Sequence, residues 1–126
     1  MIVVDASVLI AHLDERDAQH QKAVERLLEL ADQMLGCSPI TLAEVFVGPA
    51  RTGQLEVARQ AISELGIVEI PLADDAAARL ALLRTRTNLK LPDCCVLLAA
   101  QHASAEAVLT FDDRLTREAT RLGFDA

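Results

Sequence analysis

Ile2-Val3-Val4 is an unbroken run of apolar, β-branched residues that ends on a carboxylate, Asp5. A strand with no polar face has to be covered on both sides, which is the situation of a strand inside a parallel sheet. Parallel strands in turn need long return connections, and helices normally supply them. Residues 67–70 and 107–109 read as further strands, and Cys37-Ser38-Pro39-Ile40 as a weaker one. Between these runs the apolar residues recur at helical spacing. The alternation predicts an α/β fold, a three-layer sandwich with a short, mainly parallel central sheet flanked by helices. No repeat, linker or low-complexity stretch divides residues 1–126, which are read as one domain.

Local signals place the helices. The first is expected over residues 7–13, ahead of the charged stretch 14–17. In the second, Val24, Leu27, Leu28, Ala31 and Leu35 share one face, and Gly36 stands where a C-cap glycine belongs. A third is expected from about Leu42, interrupted near Gly48-Pro49 because proline cannot continue the hydrogen-bond ladder. Others are expected over residues 54–65, stopping at Gly66, and over 74–87. Pro92 opens a helix so apolar from Cys94 to Ala100 that it must be buried, and a last helix covers residues 112–122.

Four acids stand at informative places. Asp5 closes the first strand, and Asp112 follows the last one. Glu44 and Asp93 begin helices. Helix capping accounts for each separately: Asp5 or Ser7 could cap the first helix, and Asp112 or Asp113 the last. Thr41-Leu42-Ala43-Glu44 fits a T-x-x-E capping box, and Asp93 sits in a first turn where the dipole favours an anion. Their shared placement says more. All strands of a parallel sheet point one way, so strand ends and returning helix starts meet on one rim, where open α/β sheets bind ligands. Two carboxylates about 5 Å apart repel by roughly 3 kcal/mol at an effective dielectric near 20. A cluster of four therefore needs cations or shared protons. All-oxygen donors with no His or Cys beside them point to Mg²⁺ or Mn²⁺ and away from zinc.

Composition limits the function classes. The formal charge of −7 has the wrong sign for passive nucleic-acid binding, although the four acids supply more than half of it. The cations are grouped, with Arg84, Arg86 and Lys90 together and Arg114, Arg117 and Arg121 together. Without Trp or Tyr the chain has few platforms for stacking bases. Cys37, Cys94 and Cys95 make neither a zinc pair nor a disulfide framework and read as reduced, buried thiols. With no signal peptide and no apolar run of membrane-spanning length, a cytoplasmic protein with no membrane partner is expected. His12, His20 and His102 are scattered and receive no catalytic role.

The motifs V-V-D-A-S, T-L-A-E-V, L-P-D-C-C-V-L-L-A-A and L-T-F-D-D-R-L, in this order, resemble those of PIN domains over nearly the whole chain. Within that group the chain is similar to the VapC-type toxins of bacterial toxin–antitoxin pairs. The resemblance implies that Asp5, Glu44, Asp93 and Asp112 form the catalytic and metal-binding quartet, with Asp5 and Asp93 as principal ligands. Ser7 and Thr110 would support it, and Asp113 could share the role of Asp112. It implies a Mg²⁺-dependent endoribonuclease leaving 5′-phosphate and 3′-hydroxyl ends, its cation orienting the scissile phosphate and acidifying a water. Glu44 and Asp112 would hold that water, position a second metal or act as general base. Arg84, Arg86, Lys90 and Arg114 are candidates for gripping the RNA backbone. The implied partners are an RNA substrate, a cognate antitoxin whose C-terminal segment covers the groove, and a second copy in a homodimer. Val45-Phe46-Val47 is a candidate for either protein interface or for core packing.

Two other classes share this outline. A phosphoacceptor signalling domain would place paired acids after the first strand and a lysine after the last. Here Ala6 and Ser7 follow Asp5, and no lysine follows Asp112. A haloacid-dehalogenase-like phosphatase would need a D-x-D motif, which is likewise missing. A PIN-like fold that only binds a partner is the third alternative.

Overall fold

In the computed structural model, which describes all of residues 1–126, four short strands form the centre. They are β1 (Ile2–Val4), β2 (Leu35–Cys37), β3 (Ile67–Glu69) and β4 (Ala107–Leu109), all parallel, in the order β3-β2-β1-β4. Helices α1 (Ala6–Leu13) and α2 (His20–Glu29) join β1 to β2, and α3 (Pro39–Arg51) and α4 (Leu55–Glu64) join β2 to β3. Helices α5 (Ala76–Thr87) and α6 (Leu91–His102) carry the chain back across to β4, and α7 (Asp113–Arg121) follows.

The pleat of β1 shows why its run is continuously apolar. Ile2 and Val4 turn to one face and pack with Leu35, Cys37 and Leu109 against α1–α4. Val3 turns to the other and meets Val108 beneath α6 and α7, among Val96, Leu97, Leu98 and Leu115. Both faces are thus covered, and the predicted three-layer sandwich is the one that forms. Helix α6 is buried from Cys94 through Ala100, as its composition requires. No helix is long and apolar enough to cross a membrane.

The sequence expectations fail between residues 30 and 51. Helix α2 ends at Glu29, and Leu35, Gly36 and Cys37 form β2, so the strand precedes the expected segment 37–40. Gly36 is a mid-strand residue and not a C-cap. A Cβ there would lie 2.8 Å from Ile70 Cδ1 and 2.9 Å from Met1 Sδ, so glycine serves close packing. Helix α3 begins at Pro39 behind the cap Ser38, whose hydroxyl accepts a hydrogen bond from the Ile40 amide. It also runs through Pro49 to Arg51. Because Pro49 lies in the last turn, only one intrahelical bond is forfeited there.

Thr41 is therefore inside α3, fully buried, and its hydroxyl finds no partner. An orphaned buried hydroxyl costs about 1–3 kcal/mol, whereas an apolar group of the same shape costs nothing comparable. Thr41→Val is expected to stabilise the fold by about 1 kcal/mol, raising Tm by roughly 3–6 °C. An unchanged or lower Tm in calorimetry would contradict the assignment.

The sheet order matters for function. From β1 the chain moves first towards β2 and β3, then crosses back to β4, so the direction of winding reverses between β1 and β4. Crevices at such reversals, outside the carboxyl ends of the strands, are where open α/β sheets bind ligands.

Candidate active site

Asp5 and Thr110 leave the carboxyl ends of β1 and β4 and so flank that crevice. Asp5 occupies the N-cap position of α1 by its backbone, but its side chain caps nothing. Instead its Oδ2 accepts two hydrogen bonds of 2.7 Å, one from Ser7 Oγ and one from Thr110 Oγ1. Each hydroxyl is oriented in turn by an amide. Phe111 N–H donates to Ser7 Oγ at 3.1 Å, and Asp112 N–H donates to Thr110 Oγ1 at 3.0 Å. Asp5 is 6% exposed, yet it pairs with no cation, and its Oδ1 receives no hydrogen bond from the chain. A buried carboxylate held this way has one oxygen fixed and one reserved.

The other three acids lie within electrostatic reach of Asp5 or of one another. Glu44 lies on the second turn of α3, and Ser38, not Thr41, caps that helix. The capping-box explanation for Glu44 is thereby removed. Partial desolvation raises the Glu44 carboxyl above its ordinary value, and the charges of Asp5 and Asp93 add to the shift. Because Glu44 is largely open to solvent, the neighbouring charges are the more informative contribution. Asp93, in the first turn of α6, is raised by burial first and then by Asp5 and Asp112, against a lowering by Arg114 and Lys90. The electrostatic chain Glu44–Asp5–Asp93–Asp112 thus links all four predicted residues.

Asp112 does cap a helix. Its Oδ1 accepts from the amides of Arg114 at 2.8 Å and Leu115 at 3.3 Å, which leaves Oδ2 uncommitted. Asp113 opens α7 and is exposed, and the acid that acts on Asp93 from this segment is Asp112. The geometry favours Asp112 over Asp113.

None of the six ion pairs of the chain involves Asp5, Glu44, Asp93 or Asp112. Carboxylates without an ion-pair partner fit a hard divalent cation, although Cys37, Cys94 and Cys95 stand near enough to feel the charges of Asp5, Asp93 and Glu44. No three acidic, His or Cys side chains stand close enough to hold a metal ion as they are. The three cysteines are free and buried, and burial pushes the Cys37 thiol up to about 12, so they are inert here.

Two supports escaped the sequence reading. Ser38 orients the helix carrying Glu44, and its Ser-Pro pairing is a recognisable N-cap and N1 signature. Asn88, in the left-handed conformation after α5, offers its carbonyl to both Arg84 and Arg114. No sequence signal joins residues so far apart.

Comparison with known proteins is consistent with this fold. Mycobacterium tuberculosis VapC20, described as a sarcin–ricin loop cleaving toxin, superposes with a TM-score of 0.75 at 21% identity, covering 98% of this chain and 96% of the other. A toxin–antitoxin complex from Klebsiella pneumoniae gives 0.73 at 27% identity, with 98% and 93% covered. FitAcB from Neisseria gonorrhoeae gives 0.72 at 22%, with 95% and 94% covered. No curated protein matches the chain. The PIN domain matches residues 2–120, and the chain belongs to the PIN-domain family.

Proposed function

We propose that the chain is the toxin of a toxin–antitoxin pair, an endoribonuclease that hydrolyses RNA phosphodiester bonds with the help of Mg²⁺ or Mn²⁺. The observation that carries this reading is Asp5, fixed through one oxygen by two hydroxyls while its other oxygen receives no hydrogen bond from the chain, with Glu44 and Asp93 near enough to feel its charge. Asp5 and Asp93 would hold the cation, with Glu44 and Asp112 completing the set. Bound there, it supplies Lewis acidity to the phosphate and lowers the pKa of a water. The residues of the chain do the rest. Ser7 and Thr110 stop Asp5 from turning away. Glu44, open to solvent and near enough to Asp5 and Asp93 to feel their charges, would hold that water or take its proton. Lys90 and Arg114, whose charges reach Asp93, offset the repulsion between an acidic rim and a polyanion. The products expected are 5′-phosphate and 3′-hydroxyl ends.

The neighbours support the toxin reading, since the Klebsiella pneumoniae structure is a toxin–antitoxin complex. A cleft of about 490 Å³ opens from Glu44 between α1 and α3, where Ile10, Leu13 and Val45 stand among Asp14, Arg16, Thr52 and Gln54, and suits an antitoxin segment of mixed polar and apolar character. Of the stretch proposed for interfaces, Val45 is buried, Phe46 half-buried and Val47 exposed, so only Val47 is free to meet a partner such as a second copy.

The test is cleavage of a structured RNA by the purified chain with Mg²⁺ or Mn²⁺ and with EDTA. Cutting in the divalent ion and none in EDTA is expected. No cutting under either condition, with phosphoryl transfer from acetyl phosphate to Asp5 instead, would replace the reading by a phosphoacceptor.

A further inference from the structure

The cations of this chain fall into two groups. Arg16, Arg26, Arg59, Arg79 and Arg121 each pair with a carboxylate. Arg84, Arg86, Lys90, Arg114 and Arg117 pair with none, and all of them lie where α5 passes into α6 or on α7. Elsewhere only Lys22 and Arg51 share that condition. In a protein with 19 acids and 12 bases, unpaired cations gathered on one side need a reason.

The helix dipole provides one for Arg84 and Arg86, which sit in the last turn of α5. It provides none for Arg114, which sits in the first turn of α7, where a positive charge is disfavoured. Arg114 is nevertheless steered into place, its Nη2 donating to the Asn88 carbonyl at 3.4 Å. Arg84 donates to the Asn88 and Leu89 carbonyls at 3.1 and 2.7 Å, so the loop itself is braced. Arg114, Arg117 and Arg121 follow at helical spacing and share one face of α7. With Thr87, Leu89 and Glu118 they line an open cavity of about 360 Å³. Glu118 binds Arg121 through both oxygens at 2.9 Å, which leaves the cavity with a surplus of positive charge.

We infer that this cavity is a backbone-phosphate subsite for the RNA substrate, lying beyond the acid cluster and joined to it through Arg114. Arg114 lines the cavity, its amide donates to Asp112 at 2.8 Å and its guanidinium to the Asn88 carbonyl, so a strand cut at the acids would continue over the α5–α6 loop onto α7. The inference rests on the nuclease reading given above. It explains how a chain of net charge −7 would hold RNA: by one local basic track and not by its overall field.

The test uses Arg117→Gln with Arg121→Gln, both more than a helical turn beyond Asp112 on α7, and a short fluorescein-labelled RNA hairpin. Affinity is measured in EDTA against salt concentration, and cleavage separately in Mn²⁺. Loss of one or two phosphate contacts should weaken binding about tenfold at low salt and lower the slope of log K against log salt by about 1. In cleavage KM should rise with kcat unchanged, a split that a merely structural role would not give. Unchanged affinity and slope in a variant whose parent binds and cuts RNA would overturn the subsite alone. A parent with no salt-dependent RNA binding would overturn both the subsite and the substrate reading. Equal loss of affinity for polyglutamate would assign the cavity to acidic peptides and overturn the RNA subsite.

Discussion

Asp5→Asn is expected to lower RNA cleavage by at least about a thousandfold, equivalent to roughly 4 kcal/mol of transition-state stabilisation, while leaving the fold intact. The asparagine keeps one carbonyl oxygen, which can accept from both Ser7 and Thr110 as Oδ2 does now. What changes is the other position. An amide NH₂ replaces the free Oδ1 and can neither ligate a cation nor contribute a negative charge. Ser7→Ala and Thr110→Val should each cost less, about 10–100-fold, because they free the carboxylate to rotate without removing it. A double variant at these two positions should approach Asp5→Asn. Cleavage by Asp5→Asn within tenfold of the parent, at unchanged Tm, would place the chemistry elsewhere.

That ranking was legible in the sequence only in part. The position of Asp5 followed from Ile2-Val3-Val4, because a strand buried on both faces fixes where its carboxyl end emerges. The buried α6 followed from its composition in the same way. The roles of Ser7 and Thr110 came from resemblance, since nothing local connects hydroxyls 103 residues apart. Capping predictions were weaker. Thr41 with Glu44 matched a capping box, yet Ser38-Pro39 starts the helix earlier, and Thr41 ends up buried with an idle hydroxyl. Two good caps three residues apart compete, and the helix takes the earlier one, Ser38, with Pro39 at its first position. The misplacement of β2 has a similar cause. Leu35 continues the helical spacing of α2, but its partner Ile67 on β3 and its neighbour Ile2 on β1 hold it in the sheet. Tertiary pairing overrides a local period that fits equally well. The basic track on α7 was visible as a charge cluster, but only the structure shows which of its arginines lack partners.

Without divalent ions the acid cluster should make the protein less stable as pH rises, opposite to the usual behaviour of paired carboxylates. Asp93 and Glu44 have ordinary values of 3.8 and 4.5, and both are raised in the fold. Between those values and the raised ones, the native state binds more protons than the unfolded chain. Stability therefore falls as pH rises through that window and levels off above it. Asp93→Asn removes one charge from the repulsion. In EDTA at neutral pH it should raise Tm by a few degrees, on the order of 1 kcal/mol after solvent screening. A divalent ion should reverse the order of the two proteins. At about a hundred times its Kd it adds roughly 2.7 kcal/mol to a protein that binds it, or on the order of 10 °C here. The parent should gain that amount in Mn²⁺, and Asp93→Asn should gain almost none. Thermal unfolding of both proteins across pH, with EDTA and with Mn²⁺, reads all three effects at once. If Mn²⁺ raised both Tm values equally, the cation would be held somewhere other than among these four acids. If the stability gap between Asp93→Asn and the parent in EDTA did not widen as pH rose, Asp93 would be compensated within the chain and would demand no cation.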